Sequence, residues 1–532
     1  MSEFLIANMA PIMFGALVFF LLLGYPVAFA LAANGFFFGF VGIELGLLTP
    51  ALFQALPERI FGIMRNDTLL AIPFFTFMGL ILERSGMAED LLDTVGQLFG
   101  TLRGGLAYAV IFVGAILAAT TGVVAASVIS MGLISLPIML RYGYDRRLAS
   151  GVIAASGTLA QIIPPSLVLI VLADQLGRSV GDMYEGALLP GLVLTALYAG
   201  YVLLVTIFRP TWAPALPPEA RTVHGFDLVK RVLFVLVPPL LLIFLVLGTI
   251  FIGVATPTEG GAMGAAGALI LALVKRKLDW SLLKQAMNTT AKLSSFVLFI
   301  LIGATVFGLT FRGVNGDLWV EHLLLGLPGG ELGFLIVVNV MVFLLAFFLD
   351  FFELAFIIVP LLAPVAEKLG IDLIWFGVLL GVNMQTSFMH PPFGFALFYL
   401  RSVAPARDYV DRLTGKMMAK VTTGQIYWGA VPFVVIQVIM VSIVLGFPGL
   451  VMHYKEGLST VDPSKVNIEV EGITGTGGEK AGEAGSAEEA LQQMFKQGQG
   501  DAAKSGEAGK PEQSDPLQKM LEEQQKEQSG AK

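Results

Sequence analysis

Two short interruptions in apolar text hold the residues best suited to chemistry. The first is Thr120-Thr121-Gly122, and the second places Asp350 and Glu353 inside FFLDFFELAF. In a bilayer, a broken helix frees backbone carbonyls that must find partners. Thr hydroxyls beside the break add neutral oxygens, and half-helix N-termini favour anionic groups. Such oxygens suit a small hard cation: sodium where carbonyls and hydroxyls form the cage, a proton where Asp or Glu leads. The plain alternative for Thr-Thr-Gly is a kink whose carbonyls the hydroxyls satisfy. Acids in an apolar segment cost roughly 2.5 kcal/mol or more each in lipid, so Asp350 and Glu353 face the protein interior or a water-filled path. A structural hydrogen-bonding role and a functional one both fit them.

Other chemistries find little support. The four histidines, His224, His322, His390 and His453, stand far apart and at no metal-ligand spacing. There is no phosphate loop, no nucleophile elbow in a plausible context and no cysteine for disulfides or thiolates. The expectation is a protein that is not an enzyme and holds no cofactor, with sodium ions as coupling ions. Net charge is −7, and from Lys455 onward 9 Lys face 15 Asp and Glu. Neither part has the basic face of a nucleic-acid binder.

The elements that must position these residues are written twice. LPIMLRYGYDRRLASGVIAASGTLAQIIPPS, residues 136–166, overlays APVAEKLGIDLIWFGVLLGVNMQTSFMHPPF, residues 363–393, without gaps at a shift of 227. Pro137 falls on Pro364, Gly143 on Gly370, Asp145 on Asp372, and Pro164-Pro165 on Pro391-Pro392. Each copy predicts a helix end, a short charged turn, then an apolar helix broken at Pro-Pro. Two halves with broken apolar helices are the signature of a secondary transporter.

Composition agrees. The 532 residues are 56% hydrophobic and 14% charged, with mean hydropathy +0.79, where soluble domains average about a quarter charged. Runs such as 232–254 and 426–447 are long enough to cross a bilayer. No Lys or Arg precedes Arg59, so the start reads as a permanent first span with an outside N-terminus. Residues 59–92 predict a helical hairpin with the polar tip Arg65-Asn66-Asp67-Thr68, and the shift places Ser294-Ser295 at its counterpart. Residues 106–140 are too long for one straight span and break at 118–127. The basic stretches 209–231, 273–284 and 401–420 are placed in the cytoplasm. The expected division is a first repeat over 1–208, a linker over 209–231, a second repeat over 232–450 and an acidic, mostly disordered tail over 451–532. Short amphipathic helices are expected in the tail from Ser486 and from Asp515-Pro516. If each half crosses the membrane an odd number of times, the halves are inverted.

Several segments in order, DTLLAIPFFTFMG, YEGALLPGLVLTALY, ATPTEGGAMGA, LGIDLIWFGVLLGVNMQ and PPFGFALFYL, resemble the large membrane subunit of tripartite ATP-independent periplasmic (TRAP) transporters. The resemblance spans about 14–450. It implies an all-α, multi-pass protein of the bacterial inner membrane with an inverted-repeat fold, two re-entrant hairpins, broken helices and an elevator-type motion. It also implies sodium symport of a small organic acid, a small four-helix membrane subunit and a periplasmic substrate-binding protein as partners.

Carried over by position, the first sodium site comprises Thr120, Thr121, Gly122, Ala160, Ile163 and Pro165. The second comprises Asp350, Ser387, His390 and Phe393. Substrate contacts and hairpin tips fall on Asn66, Asp67, Thr68, Ser294, Ser295, Asn383 and Gln385. Where many members carry Gly-Leu-x-Thr-Pro-Pro, this chain has Ser387-Phe388-Met389-His390-Pro391-Pro392 and lacks the Thr hydroxyl. His390 is therefore read as a spacer whose carbonyl matters more than its ring. The wording around both second-half motifs resembles the mannitol, chloroaromatic and 2-oxo-acid subgroup. The alternative is a stand-alone proton- or sodium-coupled carboxylate carrier.

Overall fold

A computed structural model describes residues 2–455 apart from Thr222, Arg412 and Leu413. The helices expected from Ser486 and from Asp515-Pro516 lie outside the described residues. Among the described residues the fold is helical, with one two-stranded ladder, Tyr409–Val410 against Met417–Met418. Seven helices are long and apolar enough to span a membrane, or up to nine if each of two bent pairs counts as one span. Large apolar side chains point outward, including Phe29, Phe37 and Phe244. Water would penalise that surface and a lipid bilayer covers it.

Five helices in each half carry the repeat. In the first half α1 (Gly105–Thr121) and α2 (Val124–Arg141) precede α3 (Arg146–Thr158), α4 (Leu167–Leu176) and α5 (Val180–Phe208). In the second, α6 (Gly330–Leu345), α7 (Val359–Lys368), α8 (Leu373–Met384), α9 (Phe395–Val403) and α10 (Thr423–Gly446) follow the same order. The local causes match as well. Gly143 and Gly370 close α2 and α7 at φ +84° and +77°. Two residues later Asp145 and Asp372 cap α3 and α8. Each carboxylate accepts from the N–H groups two and three residues on, at 2.8 and 3.3 Å for Asp145 and at 2.8 and 3.1 Å for Asp372. Both Pro-Pro bonds, Pro164-Pro165 and Pro391-Pro392, are cis.

The repeats pack about a local two-fold axis. Gln385 Nε2 donates to Thr158 Oγ1 at 3.2 Å, and 385 is the position that the 227-residue shift assigns to 158. A residue meets its own equivalent only at such an axis. Off the axis, contacts are exchanged. A Cβ on Gly186 of α5 would stand 3.3 Å from Ile374 of α8, while Gly429 of α10 abuts the carbonyl of Arg147, the counterpart of Ile374 in α3.

The α1 and α2 helices form a hairpin. Gly114 abuts Ser156, and Val128 abuts Gly157. One straight helix would hold 114 and 128 about 21 Å apart, yet their partners are chain neighbours. The chain therefore reverses midway, at Gly122-Val123. In the second half α6 lies against α8, where Asn383 Nδ2 donates to the Asn339 carbonyl at 2.8 Å and to its Oδ1 at 2.9 Å. After α6 the chain restarts at Phe351 as a short turn and a π-helical stretch, Leu354–Ile358, before α7.

These reversals differ from the hairpins expected at 65–68 and at 294–295. Helical segments Pro50–Met64 and Asp67–Arg84 meet at a bend of only 46°, so the chain runs on. Asn66 makes the break inexpensive, because its side chain accepts from the N–H groups of Thr68 and Leu69 at the start of the new helix. Ser294 and Ser295 lie inside one unbroken helix, Trp280–Gly313, which has no proline to interrupt it. That long helix packs on Val27–Glu44 through small residues, with Gly303 against Ala28 and Gly35 against Val306. Thr310 Oγ1 donates to the Gly35 carbonyl there at 2.9 Å.

A partly buried ion pair ties the end of α2 to the loop between α9 and α10. Arg141 Nε donates to Asp411 Oδ2 at 3.0 Å and Nη2 to Oδ1 at 2.9 Å, while Thr414 N and Oγ1 add donors to Oδ2 at 2.9 and 2.7 Å. The guanidinium and Thr414 hold the Asp411 carboxyl well below the usual carboxylate range. A depressed folded pKa stabilises the fold above the unfolded value of about 4 and loses that effect as pH falls through the folded value. Wild type is therefore expected to melt higher than Asp411→Asn near neutrality, with the gap closing as pH drops below about 4. A gap unchanged down that range would refute the assignment.

Candidate cation and substrate site

The hairpin tips and the Pro-Pro breaks converge on one cavity of about 420 Å³. The α1–α2 tip supplies Gly122 to Ala125, the α3–α4 break supplies Gln161 and Leu167, and the second tip supplies Asp350 to Glu353. Phe388, Phe395 and Tyr399 close one side, and Leu293 and Phe296 of the long helix close another.

At the first tip Gly122 has φ +57°, a left-handed value that ends α1 and turns the chain. A Cβ there would sit 3.6 Å from the Pro165 carbonyl oxygen, so tip and break are in contact. Ile163 and Ala160 are buried beside it. Among the described residues no hydrogen bond reaches the carbonyls of Ile163 or Pro165. Thr120 Oγ1 donates back to the Leu117 carbonyl at 2.9 Å, which leaves its oxygen able to accept. The Thr121 side chain lies outside the described residues.

The second tip is pinned by a capping box. Asp350 Oδ1 accepts from Glu353 N, and Glu353 Oε2 accepts from Asp350 N, both at 2.9 Å. Ser387 is buried with no partner for its hydroxyl. The His390 ring lies between Phe343 and Phe347, at centroid distances of 4.4 and 4.1 Å. Its carbonyl accepts from Gly394 N at 2.6 Å. Phe393 is half-exposed and stands 5.8 Å from Phe348. Tip and break thus meet here too, with two asymmetries: the His390 carbonyl, counterpart of Ile163, accepts from Gly394, and the Pro392 carbonyl, counterpart of Pro165, accepts from the Tyr427 hydroxyl at 3.3 Å.

The remaining sequence-based candidates stand elsewhere. Asn66, Asp67 and Ser294 line a separate cavity of about 140 Å³. Asn66 Nδ2 donates to Asp174 Oδ1, and the Asp67 carbonyl accepts from Thr258, both at 2.6 Å. Thr68 opens the helix that Asn66 caps, and Ser295 stays within the long helix. Asn383 and Gln385 are buried in the helix packing around Asn339 and Thr158. None of these lines the central cavity. Gln161 does line it, 2% exposed and with no partner for Oε1, as do Glu353 and Tyr399. Its signal was an amide inside AQIIPPS, where every neighbour up to the prolines is apolar.

A family profile described as "Tripartite ATP-independent periplasmic transporter, DctM component" matches residues 14–450. The chain belongs to this family. A C4-dicarboxylate TRAP transporter large permease protein from Pseudomonas aeruginosa is 32% identical over 364 residues, covering 67% of this chain and 82% of that protein. An ectoine TRAP transporter large permease protein from Halomonas elongata is 27% identical and covers 84% of this chain and 99% of its own. An isethionate TRAP transporter permease protein from Oleidesulfovibrio alaskensis is 28% identical, and 61% of its length is covered. The solved structure of the Alcanivorax borkumensis YdaH transporter matches at TM-score 0.51 and 16% identity, covering 75% of this chain and 88% of that one. At that identity the likeness speaks for the fold alone. This TRAP large permease is a subunit of a secondary transporter and a multi-pass protein of the bacterial inner membrane. Its relatives are permease subunits, consistent with a protein that is not an enzyme.

Proposed function

We propose that this permease carries a small organic acid inward together with sodium, receiving the solute from a periplasmic binding protein and working with a small four-helix membrane subunit. The observation that carries the reading is the contact of Gly122 with the Pro165 carbonyl, beside the unengaged carbonyl of Ile163. Buried carbonyls without donors are costly, and a sodium ion satisfies several at once. The relatives named for C4-dicarboxylate, isethionate and ectoine support a small polar solute.

In this reading sodium completes a cage that exists only while the first tip rests on the α3–α4 break. Ser387 and the carbonyl of His390 supply the second station. Solute occupies the cavity between them, so cation and solute reinforce each other by sharing one pair of tips. The two repeats are inverted, and the hairpins with α3, α4, α8 and α9 slide as a body against the long helices, presenting the same cavity to either side.

Asp350 and Glu353 on the cavity wall favour a second reading, proton coupling without a binding protein. Uptake separates the two. Proteoliposomes holding the permease and its small subunit, with binding protein outside, are expected to accumulate a radiolabelled organic acid only with sodium present. Accumulation that persists in potassium, or without the binding protein, would count against sodium-coupled tripartite transport.

A further inference from the structure

The central cavity has two carboxylates on its wall and no basic residue. Neither Asp350 nor Glu353 forms an ion pair among the described residues. Each accepts the other's backbone N–H, and Asp350 accepts from Phe352 as well, so Glu353 keeps the freer oxygen for a ligand. Gln161 also lines the cavity, 2% exposed, but its unpartnered Oε1 is buried away from the open space. The rest of the wall is apolar, part aliphatic and part aromatic, its rings including Phe296, Phe351, Phe352 and Tyr399. Such a wall repels a plain dianion and offers a hard cation few oxygens beyond the two acids. Ring faces and a carboxylate together suit a soft, alkylated or hydrogen-bonding nitrogen cation.

We propose that the solute is a zwitterion, an organic acid that also bears a cationic nitrogen, and that the nitrogen lies against Glu353 and Asp350. This rests on the transport reading above and names the substrate class of that same cavity. The carbonyls of Ile163 and Pro165 remain the sodium station, because neutral oxygens suit sodium and an aromatic wall does not. Glu353 sets specificity.

Two matched pairs of probes test the proposal by direct binding to the purified permease and small subunit in sodium. Glycine betaine is compared with 3,3-dimethylbutanoate, its uncharged-headed isostere, and glutamate with glutarate. The nitrogen-bearing member of at least one pair is expected to bind about tenfold or more tightly than its partner. Glu353→Gln, which keeps the capping box, is expected to bring that pair level. Phe352→Leu, which leaves the acids in place, is expected to weaken betaine and spare 3,3-dimethylbutanoate. Level binding within both pairs, with Glu353→Gln neutral or beneficial, would overturn the proposal and leave sodium-coupled transport intact. Sodium-independent binding of all four probes would remove both.

Discussion

Gly122→Val is expected to abolish sodium-driven uptake while the protein still folds. The position has φ +57°, so any Cβ is strained there. Alanine costs about 1–2 kcal/mol in that conformation, and a β-branched residue is a frank outlier. The added carbon rests 3.4 Å from Leu167 Cγ and 3.6 Å from the Pro165 carbonyl, ordinary contact distances, so the strain lies in the backbone of the tip. Relief comes by lifting the tip from the break, which opens the sodium cage. Since each 1.4 kcal/mol is about tenfold in an equilibrium constant, Gly122→Ala should raise the half-saturating sodium concentration by about 5- to 30-fold. Valine should push transport below detection. Normal sodium dependence in the valine variant would remove the tip from the cation site.

Gly429→Leu is expected to prevent stable assembly altogether. A Cβ at Gly429 runs into the Arg147 carbonyl, and one at the facing Gly151 runs into the Gly429 carbonyl. Helices α3 and α10 therefore touch backbone to backbone, and neither carbonyl can step aside without moving a helix. Overpacking in a deformable core costs about 1–3 kcal/mol, and this contact has less room to yield. The expected readout is loss of a monodisperse peak in detergent and a melting temperature too low to measure. Gly424, in the same helix, has nothing within 4 Å of its added Cβ, so Gly424→Ala should leave both unchanged. Equal behaviour of the two variants would show that close approach is not what holds α10 in place.

The repeat was legible in the sequence because its marks are local. Pro, Gly and Asp act through φ and side-chain caps within a few residues, so their recurrence at one shift survives wherever the helices pack. Hairpin position was less legible. Polar residues drew attention to Arg65-Asn66-Asp67-Thr68, but Asn66 merely caps a new helix across a shallow bend. The true first reversal has Thr-Thr-Gly-Val at its tip, and its signal was length: 106–140 would run about 50 Å as one helix, well beyond a bilayer's hydrocarbon core of about 30 Å. Ser294-Ser295 misled for a related reason: two hydroxyls suggested a break, but with no proline beside them the helix runs on, and the Ser294 hydroxyl stays buried without a partner. Cavity-lining residues were legible only where a break announced them. Gly122 and Asp350 were found in that way, whereas Phe296 and Tyr399 arrive from helices whose text gives no sign of what they face.

The Thr158–Gln385 contact also bears on how such a chain could arise. If the repeats descend from a half-length protein that paired with itself, the residue on the dyad faced its own copy. One gene then had to choose a single side chain for both partners. Joining the two copies removed that restriction, so that an amide now meets a hydroxyl across the former dyad. The same freedom extends to the ion stations. The Pro165 carbonyl stays unengaged while Tyr427 takes the Pro392 carbonyl, a division of labour that no identical pair of subunits could encode.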